Sequence, residues 1–220
     1  MPLRFIRLAS FSTLGAALIA LVAKSLDHPA LFYIFKPLTT LLILCIPLSI
    51  WVSRKSRYVG YVSAGLLLSA IGDLLLSFAA DYFLYGLIAF LLAHVAYLLA
   101  FSERTPFPAS PRVWQTYFAF SIIFYLFLYH ALPPALRIAV AVYCIFLTSM
   151  AAQAMGRFLV RRDRFALAAA LGALLFLISD CILAIDRFQS AISAVHWLVL
   201  VPYYMGQWLI AFSAAGSEGM

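Results

Sequence analysis

Long apolar runs alternate with short polar breaks along the whole chain, and no strand-like alternation of single polar and apolar positions interrupts them. Each run has roughly 20 residues, enough for a helix to cross a hydrocarbon layer about 30 Å thick. Eight runs are read as spans: Ile6 to Ala23, Leu31 to Val52, Tyr58 to Phe78, Tyr82 to Phe101, Val113 to Ala131, Ala135 to Phe158, Phe165 to Ile185 and Ala194 to Phe212. Pro106, Pro108 and Pro111 mark the loop after the fourth, and Pro133 with Pro134 the turn after the fifth. The connections are short, so neighbouring helices are expected to pack antiparallel. The pattern predicts an all-α fold, a polytopic membrane helical bundle of eight transmembrane helices, with residues 1–220 forming a single integral membrane domain.

Composition agrees with this. The chain is 66% hydrophobic and 10% charged, with a mean hydropathy of +1.04, too apolar for a soluble domain of 220 residues. The net charge of +7 would suit nucleic acid, but the basic residues sit at span ends, where membrane insertion favours them. One set of ends carries Arg4, Arg7, Arg54, Lys55, Arg57, Arg104, Arg112, Arg157, Arg161, Arg162 and Arg164; the other carries Lys24, Arg137 and Arg187. Eleven against three predicts both termini in the cytoplasm. Arg4 and Arg7 ahead of an apolar run resemble a secretory signal, but another span follows, so the run is read as a retained first helix. Cys45, Cys144 and Cys181 lie inside apolar runs with no metal-type spacing, and the absence of asparagine leaves no glycosylation sequon.

The polar residues inside the spans carry the functional signal. Asp73 lies in Gly65–Phe78 (GLLLSAIGDLLLSF), and Asp180 lies in Gly172–Ile185 (GALLFLISDCILAI), each eight residues after a glycine. A carboxylate at the centre of a span costs at least about 2.5 kcal/mol, so two at matching positions suggest a paired site. Counted from the span starts, both lie roughly 22 Å up the layer, in its outer third. Lys36, just before Pro37, is expected at the same end, as a countercharge for the aspartates, a clamp for a phosphate or a snorkelling lysine; the proline is expected to loosen the helix there. His94 and Tyr97 share a face of the fourth span, and Tyr203, Tyr204 and Gln207 form a polar turn on the eighth. Ser179 adjoins Asp180. Asp73 and Tyr97 are separated by the same 24 residues as Asp180 and Tyr204, a hint of a parallel repeat of four spans plus four.

Two close carboxyls tend to share a proton and so provide one general acid and one general base. The same acids, with His94, suit a proton-coupled lipid or small-molecule transporter. A zinc-dependent membrane lipid hydrolase would use His28, His130 and His196, although no two of them have metal-type spacing on a helix. G-x-S-x-G, Walker and dinucleotide motifs are absent.

An ordered set of short motifs then points to a family. KPLTT at Lys36–Thr40, GDLLL at Gly72–Leu76, G-x7-H-x2-Y from Gly86 to Tyr97, SDCILA at Ser179–Ala184 and Y-x2-Q from Tyr204 to Gln207 resemble the YhhN-like lysoplasmalogenase family over nearly the whole chain. The resemblance implies hydrolysis of the vinyl ether bond of a lysoplasmalogen, a lysophospholipid, to a fatty aldehyde and a glycerophospho-base. It also implies Asp73 and Asp180 as catalytic residues. Lys36, His94, Tyr97, Ser179, Tyr203, Tyr204 and Gln207 are expected to bind substrate. No metal or cofactor is expected, nor a nucleic-acid partner, and the protein is expected among the lipids of a bacterial inner membrane. Protonating the β-carbon of a vinyl ether and hydrating the resulting cation needs an acid and a carboxylate, as in glycosidases. Which aspartate plays which part is left open at this point.

Overall fold

The computed structural model describes residues 2–53, 55–78 and 82–219. Arg54, counted above among the basic span ends, lies outside them, as does the side chain of Arg4. Among the described residues eight α-helices follow one another: α1 Pro2–Ser25, α2 Pro29–Ser53, α3 Arg57–Ser77, α4 Phe83–Ser102, α5 Pro111–Tyr129, α6 Pro134–Arg161, α7 Arg164–Phe188 and α8 Val195–Ser213, with a short 3-10 turn over Ala214–Gly219. Each predicted run is a helix, with ends moved by a few residues. Prolines open α5 and α6 at a position where the missing N–H has no helical partner. Among the described residues seven of these helices are long and apolar enough to cross a membrane; α5, with Trp114, Gln115 and Thr116 in its first half, is not among them.

The surface explains itself only against lipid. Phe11, Ile123 and Ile138 are 73%, 69% and 79% exposed, a distribution that water would penalise and acyl chains accept. The interior is built from small residues and aromatics. α3 with α4 and α7 with α8 make the most extensive contacts. Glycines allow both approaches. A Cβ on Gly172 would fall 2.6 Å from the Gly206 carbonyl oxygen, and one on Gly65 would collide with the Tyr97 ring. The two glycines that flag the aspartate stretches in the sequence are therefore the points where each helix meets its partner. Pro37 does not loosen α2, which runs unbroken from Pro29 to Ser53. Extra donors sit beside it: Thr39 Oγ1 donates to the Phe35 carbonyl at 2.7 Å, and the Tyr204 hydroxyl to that of Lys36 at 3.4 Å.

The end carrying most of the arginines is closed by specific brackets. Arg157 is not an exposed charge but is 1% exposed; it donates to the Glu103 carbonyl (2.6 Å) and to Thr105 Oγ1 (2.8 Å) and lies over the Tyr58 ring. Gln153 adds bonds to the Pro106 carbonyl and the Ala109 N–H, so α6 holds the α4–α5 loop. Asp163 caps α7, accepting from the N–H groups of Phe165 and Ala166 at 2.9 and 2.8 Å. Partial burial works against its charge, but those N–H groups and Arg161 prevail and hold its carboxyl below the ordinary 3.8. A lowered folded value means the stabilisation is present above the unfolded value and is lost as pH falls through the folded one. Asp163→Ala is expected to cost about 1 kcal/mol at neutral pH, read as a lower melting temperature in detergent, with the difference shrinking below pH 4. A melting difference that stays constant from pH 7 to pH 3 would contradict the charged cap.

Candidate active site

Asp73 and Asp180 are each sixteen residues beyond the first residue of their helix, Arg57 or Arg164, equally deep from that end. Both line one cavity of about 320 Å³ that also touches α2, α4, α5, α6 and α8. Its volume is that of a small-molecule site, and its wall is mainly apolar, with Leu87, Phe90, Phe124 and Leu177 among the lining residues. Of the residues predicted from the sequence, Lys36, Asp73, Ser179, Asp180 and Tyr203 line it; His94, Tyr97, Tyr204 and Gln207 stand behind the wall.

Asp73 is 1% exposed and densely partnered. Its Oδ2 accepts from Thr40 Oγ1 at 2.6 Å and from the Tyr203 hydroxyl at 2.8 Å. Lys36 Nζ lies 3.7 Å from its Oδ1. Two hydroxyl donors and an ammonium are the environment of an ionised carboxylate. Of the readings open for Lys36, the countercharge is the one with a partner at ion-pair distance among the described residues. Tyr204, through its bond to the Lys36 carbonyl, steadies that part of α2.

Asp180 has different neighbours. Its Oδ2 accepts from the Tyr143 hydroxyl at 2.5 Å, and His94 Nε2 lies 3.0 Å from that hydroxyl and 3.7 Å from Oδ2. A phenol has one proton. If Tyr143 donates it to Asp180, His94 must donate from Nε2 to the phenol oxygen. On that arrangement the three groups form a hydrogen-bonded chain from imidazole to carboxyl, which orients the Asp180 side chain. The Asp180 side chain is 14% exposed, open to the cavity, while His94 is completely buried.

One phenylalanine supports both subsites. Phe176, fully buried on α7, meets His94 edge-on at 4.9 Å, Tyr203 at 5.3 Å and Phe90 at 6.0 Å. Among the described residues no hydrogen bond joins the two carboxyls; each keeps its own partners. Ser179 donates to the Val199 carbonyl at 2.9 Å and ties α7 to α8. Tyr97 turns away from His94, although they share a helix face, and donates to Gln207 Oε1 at 2.6 Å. Thr40 enters the sequence reading only as the last residue of the KPLTT motif, and Tyr143 does not enter it. The available signal was weak: a tyrosine in the middle of a span needs a partner for its hydroxyl. His28, His130 and His196 join no group of three potential metal ligands among the described residues.

Residues 31–214 match the model of the YhhN family. The chain is 33% identical over 191 residues to human "Lysoplasmalogenase TMEM86A", covering 80% of this chain and 78% of that protein. It is 32% identical over 179 residues to rat "Lysoplasmalogenase TMEM86B", covering 81% and 72%. A "Lysoplasmalogenase homolog" from Dictyostelium discoideum is 26% identical over 198 residues, covering 73% and 65%. No solved structure matches significantly. The matched segment runs from α2 to the end of α8 and contains both aspartates, Lys36 and the Tyr143–His94 pair. This integral membrane protein belongs to the YhhN family.

Proposed function

We propose that the protein hydrolyses the vinyl ether bond of lysoplasmalogens, with Asp180 as the acid and Asp73 as the carboxylate that faces the developing cation. The observation that carries this reading is the unequal partnering of two equally deep carboxyls on one apolar cavity. Asp180, oriented by the Tyr143–His94 chain, delivers its own carboxyl proton to the β-carbon of the alkenyl group, leaving an oxocarbenium ion on the α-carbon and ether oxygen. Asp73, fixed as an anion by Lys36, Thr40 and Tyr203, stabilises that cation and takes a proton from the attacking water. The hemiacetal then collapses. Its hydroxyl proton moves to the glycerol oxygen, the carbon–oxygen bond breaks, a fatty aldehyde and a glycerophospho-base leave, and the proton taken up by Asp73 returns to Asp180 through water in the shared cavity, which restores the starting state. One water is consumed and no electron is transferred.

On this reading α5 also crosses the membrane, since its 19 residues reach about 28 Å and it packs along α6. Eight spans and the arginine bias support a reading with both termini in the cytoplasm and the cavity in the outer half of the membrane, taken here as a bacterial inner membrane. The alkenyl chain then lies among α4, α5 and α6 while the headgroup stays near the surface. The matching depths of Asp73 and Asp180 support the four-plus-four repeat, with one carboxyl supplied by each half.

Purified protein in a phosphate-free detergent, given an alkenyl lysophospholipid, is expected to release one aldehyde per glycerophospho-base, and to keep doing so in a chelator. Failure to release aldehyde from any vinyl ether lipid would end the proposal; uptake of the intact lipid into vesicles would replace it with the transporter reading.

A further inference from the structure

The cavity has a second cation whose role none of the preceding chemistry uses. Arg187 lines it from the last turn of α7. It lies seven residues beyond Asp180, two helical turns and about 10 Å along the same face. Its guanidinium rests on the Phe83 ring, 5.0 Å from the centroid, and Phe188 meets the same ring edge-on at 6.0 Å. Gln189 then donates to the Phe127 carbonyl at 2.7 Å, fastening this end of α7 to α5. Arg187 is thus held at a rim framed by α4, α5 and α7. Among the described residues no carboxylate lies within ion-pair distance of it: Asp73 faces Lys36, Asp180 faces His94, and Asp163 faces Arg161. Its neighbour Asp186 accepts from the Ile192 N–H at 2.9 Å and closes the α7–α8 loop.

The geometry points to Arg187 as the residue that binds the phosphodiester of the single-chain ether lipid, and so sets the depth at which the ether enters. The inference rests on the hydrolase reading for the identity of the lipid. Lys36, the sequence candidate for this role, is committed to Asp73. A planar guanidinium presents paired N–H donors that match two phosphate oxygens. In a lysophospholipid the phosphorus and the ether oxygen are separated by five single bonds, about 6 Å in space. That span fits between a guanidinium at the rim and a carboxyl two turns deeper. The bland alternative is an arginine that anchors the helix end to bulk headgroups. It predicts no preference between substrates with and without phosphate.

Kinetics on two lipids separate these. With an alkenyl glycerophosphocholine in phosphate-free detergent, Arg187→Ala is expected to raise KM about 10-fold or more and change kcat less than about 2-fold, with Arg187→Lys between. With 1-alkenylglycerol, which lacks the phosphate, wild type and Arg187→Ala are expected to have the same kcat/KM. An unchanged KM on the phospholipid, or an equal rise on both lipids, overturns the assignment. If wild type cleaves neither lipid, the hydrolase reading fails, and binding of a saturated 1-alkyl glycerophosphocholine decides about Arg187. About 10-fold weaker binding by Arg187→Ala, with 1-alkylglycerol bound equally by both proteins, upholds it. Equal binding of the phospholipid by both proteins, or none by wild type, overturns it.

Discussion

Asp180→Asn is expected to lower kcat for aldehyde release by about 10³-fold, within the range that a positioned general acid contributes. Asparagine keeps the shape of the side chain and still accepts from the Tyr143 hydroxyl, so the helix contacts of α7 survive and only the transferable proton is lost. Melting temperature and elution volume in detergent should therefore match wild type. Tyr143→Phe is the finer probe. It removes the link between His94 and Asp180 but leaves the acid, so its kcat is expected to fall less, by about 10-fold, with little change in KM. An Asp180→Asn protein retaining a tenth of wild-type activity would remove Asp180 from the chemistry. A Tyr143→Phe protein as inactive as Asp180→Asn would mean that the proton comes from the phenol itself.

How far the sequence carries is shown by these same residues. Asp73 and Asp180 were legible because a carboxyl in an apolar run is costly wherever the helix packs. Lys36 and Tyr203 followed from depth, because each is polar in the outer part of its span, level with the two acids, and Ser179 from its place beside Asp180. Their partnerships were not legible. Thr40 and Asp73 are 33 residues apart, and Tyr203 and Asp73 are 130 apart, so only the packing of α2 and α8 onto α3 joins them. Tyr143 sits in VAVYCIFL and looks like any apolar position. His94 and Tyr97 illustrate the limit of helical spacing. A shared face put them in one pocket, yet the ring of Tyr97 fills the gap at Gly65 while His94 faces α6. Arg157 and Arg187 both counted as basic span ends, but one is buried against backbone carbonyls and the other lines the cavity. Charge counting orients a chain without distinguishing such environments.

The unequal environments of the two acids also bear on why the cavity needs two. A close pair sharing one proton would leave the roles interchangeable. Here the asymmetry is built into the neighbours: a cation and two hydroxyls on one side, a phenol and an imidazole on the other. Phe176 packs against members of both sets and fixes their relative position, so its truncation should disturb both at once.

Lys36→Met tests the other half of that asymmetry, and it is expected to cost both stability and turnover. The ion pair with Asp73 is buried, with side chains 11% and 2% exposed. Its net contribution to folding is small relative to an apolar pair of equal volume, but removing one partner leaves an uncompensated buried charge, at about 3–5 kcal/mol. Methionine fills the space of the lysine stem, so the loss is of charge rather than packing. The melting temperature should fall by several degrees, and kcat should fall by 10²-fold or more, because Asp73 no longer faces the oxocarbenium ion as a carboxylate fixed by its cation. The double variant Lys36→Met/Asp73→Asn separates the two effects. Both charges are then gone, so most of the stability is expected to return while aldehyde release stays at the level of Asp73→Asn alone. If Lys36→Met instead keeps its kcat and melting temperature and only raises KM on the phosphorylated lipid, the lysine binds the phosphate and Arg187 does not. In that event the anion facing the cation is held by Thr40 and Tyr203 alone.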